Sequence, residues 1–253
     1  MQENNLKTYE RPSIVESYVK AAGLFESEKA VIDLLAARLS HMDMLDIGVG
    51  GGRTTDSYAP AVKSYVGVDY ANAMVDACIA KYQGRWPFFC CDARDLSMFA
   101  DDSFDLVLFS FNGIDTVSPV DRLKVLSEIW RVCRPGGVFS FSSHNLELAD
   151  RFFRWKPTGG LARLPRDLAR HTIMHLVNLR YVLLKPTRYV LLNDGVYRFS
   201  LRTYYGAPSY QIEQLQRSGF TNVRVFAEST GEELKGPAYP DAHPTYLCDV
   251  AGK

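Results

Sequence analysis

The 253-residue chain carries 29 Lys and Arg against 29 Asp and Glu, so its formal net charge is zero, and 47% of it is apolar. These proportions suit a globular protein and exclude intrinsic disorder, collagen-like repeats and a disulfide scaffold. No stretch approaches the ~20 apolar residues of a membrane span. The N-terminal MQENNLKTYE lacks the apolar core of a secretory leader, and Cys78, Cys90, Cys91, Cys133 and Cys248 form no CxxC pair; reduced thiols in a cytoplasmic protein are expected.

Residues 11–40 contain two helical stretches. From 42 to 145, short apolar runs alternate with amphipathic or turn-rich segments: MDMLDIG (42–48), SYVGVDY (64–70), PFFCCDA (87–93), FDLVLFSF (104–111) and GVFSFSSH (137–144). Near-continuous apolar runs of this length fit strands of a parallel sheet buried on both faces. Between them, residues 72–83 and 119–133 have helical spacing, the second ending at Arg134-Pro135-Gly136-Gly137. Such alternation implies right-handed βαβ units and an open α/β sheet with helices on both faces.

Residues 146–206 do not fit one βα unit. A helical stretch at 161–178 precedes the β-rich runs RYVLLK, RYVLLND and VYRFSLRTYY, the last two read as a hairpin around Asn193-Asp194-Gly195. A helix at 207–218 and strands TNVRVFA (221–227) and TYLCDVAG (245–252) resume the α/β pattern. One domain over 1–253 is expected: an N-terminal lid (1–41), a donor-binding core (42–145), an insertion capping the acceptor side (146–206) and a completion of the sheet (207–253).

The chemistry concentrates at strand ends. Asp46-Ile47-Gly48-Val49-Gly50-Gly51-Gly52-Arg53 ends an apolar strand in an acid and a glycine-rich turn. Glycines let backbone approach a ligand, and the helix behind them presents free N–H groups. A dinucleotide fingerprint G-x-G-x-x-G would place glycine where Arg53 stands. A carboxylate beside the turn suits a ligand bearing an ammonium group better than a pyrophosphate. Asp69, 23 residues after Asp46, ends the second strand, where a carboxylate can accept two ribose hydroxyls. Asp92-Ala93 follow the third strand, and the fourth empties into a small polar turn at Ser110-Phe111-Asn112-Gly113.

The runs LDIGVGGG, YVGVDYANAM, CDARDL, FDLVLFSF and LSEIWRVCRPGGVFSFSSHN, in this order and spacing, closely resemble the class I S-adenosylmethionine-dependent methyltransferases over about residues 42–145. The resemblance implies a Rossmann-like, mostly parallel seven-stranded sheet whose last strand, here 245–252, is antiparallel. It implies S-adenosyl-L-methionine as cofactor, with Asp46, Gly48 and Gly50 at the methionine part and Asp69 at the ribose; Arg53, in the same turn, is also expected to bind the cofactor. Tyr70 and Met74 would pack on adenine, which Asp92 and Ala93 would read, and Phe109 and Ser110 would line the methyl-donor pocket.

His144 ends the fifth strand on the acceptor side, either as a general base for an acceptor hydroxyl or as a cap on the turn before Asn145. Residues 151–203 hold eleven basic residues against two acidic, a net of +9 that leaves −9 for the rest of the neutral chain. The basic segment fits an anionic acceptor, phosphorylated or carboxylated, a membrane-surface contact through 161–184, or a solvated face balanced by acidic neighbours. Tyr9, Asn112, Arg163, Arg166 and Tyr204 are the candidate substrate-binding residues, and no metal site is expected.

The expected function is methyl transfer to oxygen or nitrogen of a small molecule such as a sugar or nucleotide sugar. An Asn/Asp-Pro-Pro-Tyr motif and a Pro-Cys nucleophile after the fourth strand are absent, which sets DNA aside. RNA ranks below a small molecule because no RNA-binding module or stacking motif appears. A nicotinamide oxidoreductase lacks its Tyr-x-x-x-Lys pair, and a non-catalytic donor-binding protein is the remaining alternative. Oligomeric state is left open.

Overall fold

The computed structural model describes residues 2–236 and 238–252. Three helices, α1 (Gln2–Tyr9), α2 (Pro12–Lys20) and α3 (Glu26–Leu39), lead into β1 (Asp43–Ile47), α4 (Thr55–Tyr58), β2 (Ser64–Asp69), α5 (Asn72–Tyr82), β3 (Phe88–Cys90) and β4 (Phe104–Phe109). Then follow α6 (Pro119–Val132), β5 (Cys133–Ser142), β6 (His144–Asn145), α7 (Leu164–Val177), α8 (Leu179–Leu184), β7 (Tyr189–Leu192) and β8 (Thr203–Gly206). The remainder is α9 (Pro208–Arg217), β9 (Phe220–Phe226) and β10 (Thr245–Val250).

The main sheet has seven strands in the order β3-β2-β1-β4-β5-β10-β9. All pairs from β3 to β5 are parallel, and β10 is antiparallel to both β5 and β9. Successive side chains of a strand point to opposite faces. Leu45, Ile47, Val107 and Phe109 therefore enter one apolar layer, and Met44, Leu106 and Leu108 the other. Strand order reverses beside β1, so the carboxyl ends of β1, β2 and β4 open onto one crevice.

A second sheet, in the order β6-β8-β7, stands beside that crevice. In its register His144 lies opposite Tyr205. Two expectations for this region are corrected. RYVLLK forms α8, not a strand: the run continues straight from α7 and stops at Lys185, which takes φ +42°. The antiparallel pair β7–β8 exists, but its last register pair is Leu192–Thr203, so 193–202 form a long loop and not a tight turn. Tyr197, Arg198 and Phe199 all have positive φ there, which no strand can accommodate. Helix α1 was also not expected, because its polar sequence shows no apolar stripe.

Candidate active site

The glycine turn after β1 is shaped by what lies against it. Gly48 takes φ +65°, and a Cβ there would lie 2.8 Å from the Phe109 ring. A Cβ on Gly51 would overlap the Tyr18 carbonyl and Val19 nitrogen, so α2 rests its backbone directly on the turn. Asp69 is buried, its Oδ2 accepting the Gly50 N–H at 2.9 Å and its Oδ1 the Ala71 N–H at 2.9 Å. The Tyr70 N–H also bonds this carboxylate, which retains acceptor capacity toward the cleft. Burial pushes this carboxyl up to about 6, against the lowering effect of those N–H bonds.

Around this turn lies a cleft of about 670 Å³, taken to its open mouth, whose walls include Gly48, Gly50, Asp69, Tyr70, Met74, Asp92, Ala93, Phe109 and Ser110. Nine of the eleven residues expected at the cofactor thus converge on one cavity. The Tyr70 hydroxyl is buried there without a hydrogen-bond partner, and such an orphaned group in a cleft calls for a ligand. Asp92 is held by Arg94, which donates through Nε at 3.0 Å and Nη2 at 2.6 Å.

Two expected cofactor residues stand elsewhere. Asp46 shares the strand face of Met44, turns from the cleft into the second apolar layer and accepts Thr54 Oγ1 at 2.6 Å and Tyr65 Oη at 2.9 Å. Burial raises its carboxyl to about 6. Arg53 borders an adjoining cavity of about 760 Å³ lined also by Gly23, Phe25, Gly48–Gly51 and Ser110. Its terminal nitrogens are spent: Nη1 on Gly23 O (3.0 Å) and Glu28 Oε2 (2.7 Å), Nη2 on Glu28 Oε1 (2.6 Å) and Ser110 Oγ (3.0 Å). Arg53 is therefore a strut tying α3 to the turn. Glu28, which also accepts the Phe25 N–H at 2.8 Å and the Ser110 hydroxyl, was not foreseen. Its one local signal is a Glu three residues after a helix N-cap.

A third cavity, about 860 Å³, shares Tyr9, Tyr18, Phe111 and Thr116 with the first and continues past Asn112 to His144, Arg151, Asp194, Tyr205 and His243. His144 Nδ1 lies 2.8 Å from Asp115 Oδ2, which also accepts the His144 backbone N–H at 2.7 Å. Asp115 Oδ1 accepts Arg122 Nη1 at 2.7 Å and Ser143 Oγ at 2.8 Å. Asp115 is fully buried. A carboxylate on Nδ1 fixes the tautomer and leaves Nε2 as the acceptor. The Asn112 Oδ1 in the same cavity is buried without a partner. Arg151 forms no ion pair among the described residues, and lies 5.1 Å over the Phe152 ring. Burial holds the Tyr9, Tyr18 and Tyr205 hydroxyls far above their ordinary values, so these walls stay neutral.

Of the expected substrate residues, Tyr9 and Asn112 line this third cavity. Tyr204 does not: adjacent β8 residues face opposite ways, so Tyr205 takes the cavity side. Tyr204 is buried against Arg122, 4.6 Å from its ring, and stacks on Tyr189. Arg163 and Arg166 are exposed at the start of α7 and line none of the three cavities.

The comparisons bear on this same stretch. A family model described as a methyltransferase domain matches residues 45–141, from β1 to β5. The segment from β1 to β5 is thus a methyltransferase domain, and the fold around it is that of S-adenosylmethionine-dependent methyltransferases. A probable S-adenosylmethionine-dependent methyltransferase of Mycolicibacterium smegmatis is 32% identical over 123 residues, covering 48% of this chain and 45% of that protein. A ubiquinone/menaquinone biosynthesis C-methyltransferase of Geotalea daltonii is 32% identical over 123 residues, covering 44% and 51%. The chain spans about half the length of these curated relatives. Its fold is similar to that of an S-adenosylmethionine-dependent methyltransferase from Clostridium acetobutylicum (TM-score 0.61, 13% identity, covering 90% and 92% of the two chains). It is also similar to one from Methanosarcina mazei (TM-score 0.57, 17% identity, covering 84% and 93%). The cofactor is S-adenosylmethionine, and the glycine cradle, the anchored Asp69 and the orphaned Tyr70 hydroxyl fit it.

Proposed function

We propose that the methyltransferase alkylates a hydroxyl of a small, anionic acceptor held in the third cavity, with His144 as general base. The observation that carries this is the His144–Asp115 pair in a cavity that shares its wall with the donor cleft. When bound, S-adenosylmethionine supplies an electrophilic methyl on a sulfonium leaving group. Asp69 would hold its ribose, Tyr70, Met74 and Ala93 its adenine, and the Gly48–Gly51 turn its methionine part. In the third cavity His144 Nε2 would remove the acceptor's proton as its oxygen attacks, and Asp115 would stabilise the imidazolium. Arg151 offers positive charge for a carboxylate or phosphate on the acceptor, and His243 lines the same wall. A volume of about 860 Å³ suits a small molecule.

A second reading keeps the same base. The relatives that include ubiquinone/menaquinone biosynthesis C-methyltransferases favour a phenolic acceptor. Deprotonating a phenol enriches the neighbouring ring carbon as well as the oxygen, so His144 would serve methylation at either atom. An amine acceptor, already nucleophilic in its neutral form, depends less on such a base.

The test is transfer from labelled donor to phenolic acids, hydroquinones, sugar phosphates and amines, with product regiochemistry read by NMR. On the acceptor found, His144→Gln is expected to lower kcat about 100-fold or more while affinity for S-adenosylhomocysteine stays unchanged. Near-full turnover would remove the base from the reaction, and an amine product would replace the hydroxyl acceptor.

A further inference from the structure

Helices α7 and α8 bury only part of their circumference. Asp167, Met174, Asn178 and Tyr181 face inward. Opposite them Leu164 and Leu168 stand four residues apart with Leu176 further along the same row, and Leu179, Leu183 and Leu184 continue the ridge on α8. Leu168 is 56% exposed, Leu176 65% and Leu183 70%. Residues spaced by four share one face of a helix. A contiguous apolar ridge of this kind on a folded surface marks an interaction site.

Charge decides what would cover it. Residues 161–188 carry Arg163, Arg166, Arg170, Arg180, Lys185 and Arg188 against Asp167 alone, and only Lys185 is ion-paired, with Asp150, among the described residues. Asp167 is occupied by Thr158, which donates its N–H at 2.8 Å and its hydroxyl at 2.7 Å. Arg166 and Arg170 are exposed on the same helix, to one side of the leucine row. A second copy would bring one such basic face against another, and a bare polyanion offers the leucines nothing. A phase apolar within and anionic at its surface satisfies both features. A trough of about 1090 Å³ beside the ridge, lined by Val177, Tyr181, Leu184 and Leu191, extends the apolar surface. Among the described residues no helix is long and apolar enough to cross a membrane, so the contact would lie in the interface plane.

We infer that the α7–α8 face docks this methyltransferase on an anionic lipid surface. The geometry is that of an interfacial amphipathic helix, leucines into the acyl boundary and arginines at the headgroups. The inference does not depend on the acceptor or on His144.

The full chain would be sedimented with vesicles of phosphatidylcholine alone and of phosphatidylcholine mixed with phosphatidylglycerol. Binding is expected to the mixed vesicles, to weaken with salt, and to fall about 10-fold or more on neutralising two cations in Arg170→Gln/Arg180→Gln. The pair Leu176→Ser/Leu183→Ser should abolish it. Both pairs are exposed, and an unchanged S-adenosylhomocysteine titration would show that the fold is intact. Three results would overturn the inference: no binding to mixed vesicles, binding unaffected by the leucine replacements, or a dimer in solution that those replacements dissolve.

Discussion

Asp115→Asn is the sharpest perturbation available. Four donors converge on this fully buried carboxylate: Arg122 Nη1, the Ser143 hydroxyl, the His144 backbone N–H and His144 Nδ1. An amide offers one oxygen, and its NH₂ would point at groups that also donate. Arg122 is 1% exposed and is left over the Tyr204 and Phe141 rings without its counter-charge. Removing one partner of a buried pair typically costs about 3–5 kcal/mol, which for a chain of this size lowers Tm by roughly 10 °C. Urea unfolding with an unchanged m-value would measure it. The same variant should lower kcat about 100-fold or more, because His144 loses the group that fixes its tautomer. S-adenosylhomocysteine affinity should not move, since Asp115 lies outside the donor cleft. Adding Arg122→Met to Asp115→Asn should recover stability but not turnover. A loss under about 1 kcal/mol would show that the interior around Arg122 is solvated and refute the reasoning.

Donor affinity should depend on pH through Asp69, whose carboxyl sits near 6 and must be ionised to accept ribose hydroxyls. At pH 5 S-adenosylhomocysteine should bind about 10-fold more weakly than at pH 7.5 by calorimetry, and Asp69→Asn should flatten the profile; a flat wild-type profile would contradict the assignment. Because burial raises both Asp46 and Asp69 to about 6, the folded chain holds those protons more tightly than the unfolded one. Ligand-free stability should therefore fall as pH rises from about 4 to about 6 and then level off, which unfolding midpoints across that range will test. Tyr70→Phe, which deletes the orphaned hydroxyl, should stabilise the free protein by about 1 kcal/mol; a loss would mean the hydroxyl is bonded without ligand. Gly51→Ala should cost about 1–3 kcal/mol, since backbone and not a side chain must yield. It should also speed tryptic cutting at Lys20, and an unchanged digest would show that α2 does not rest on the turn.

The donor side was legible because a parallel sheet delivers its strand ends to one edge, so spacing brought Gly48, Asp69 and Asp92 together and the family resemblance added Phe109. Asp46 shows the limit: its place in the motif was clear, but strand parity turned its side chain to the other face. The same parity puts Tyr205 of the adjacent Tyr204-Tyr205 pair on the cavity wall and turns Tyr204 away. Arg53 could not be assigned without its partner Glu28, which lies 25 residues away on α3. The acceptor side was largely opaque, since its walls come from residues 9, 18, 111–116, 144, 151, 194–205 and 243. No local pattern records such assembly. RYVLLK reads equally as strand or helix, and only its place after α7 decides.

Tyr18 and Phe111 border all three cavities, and Tyr18 belongs to the helix whose backbone covers the glycine turn. One ceiling therefore closes both substrate chambers. Whatever free energy orders that ceiling for one ligand need not be spent again for the other, so the two affinities are linked and the linkage is reciprocal. Were α2 to lift from the turn, the donor cleft and the third cavity would lose a wall together. Motion of that one helix would then be felt in both cavities at once.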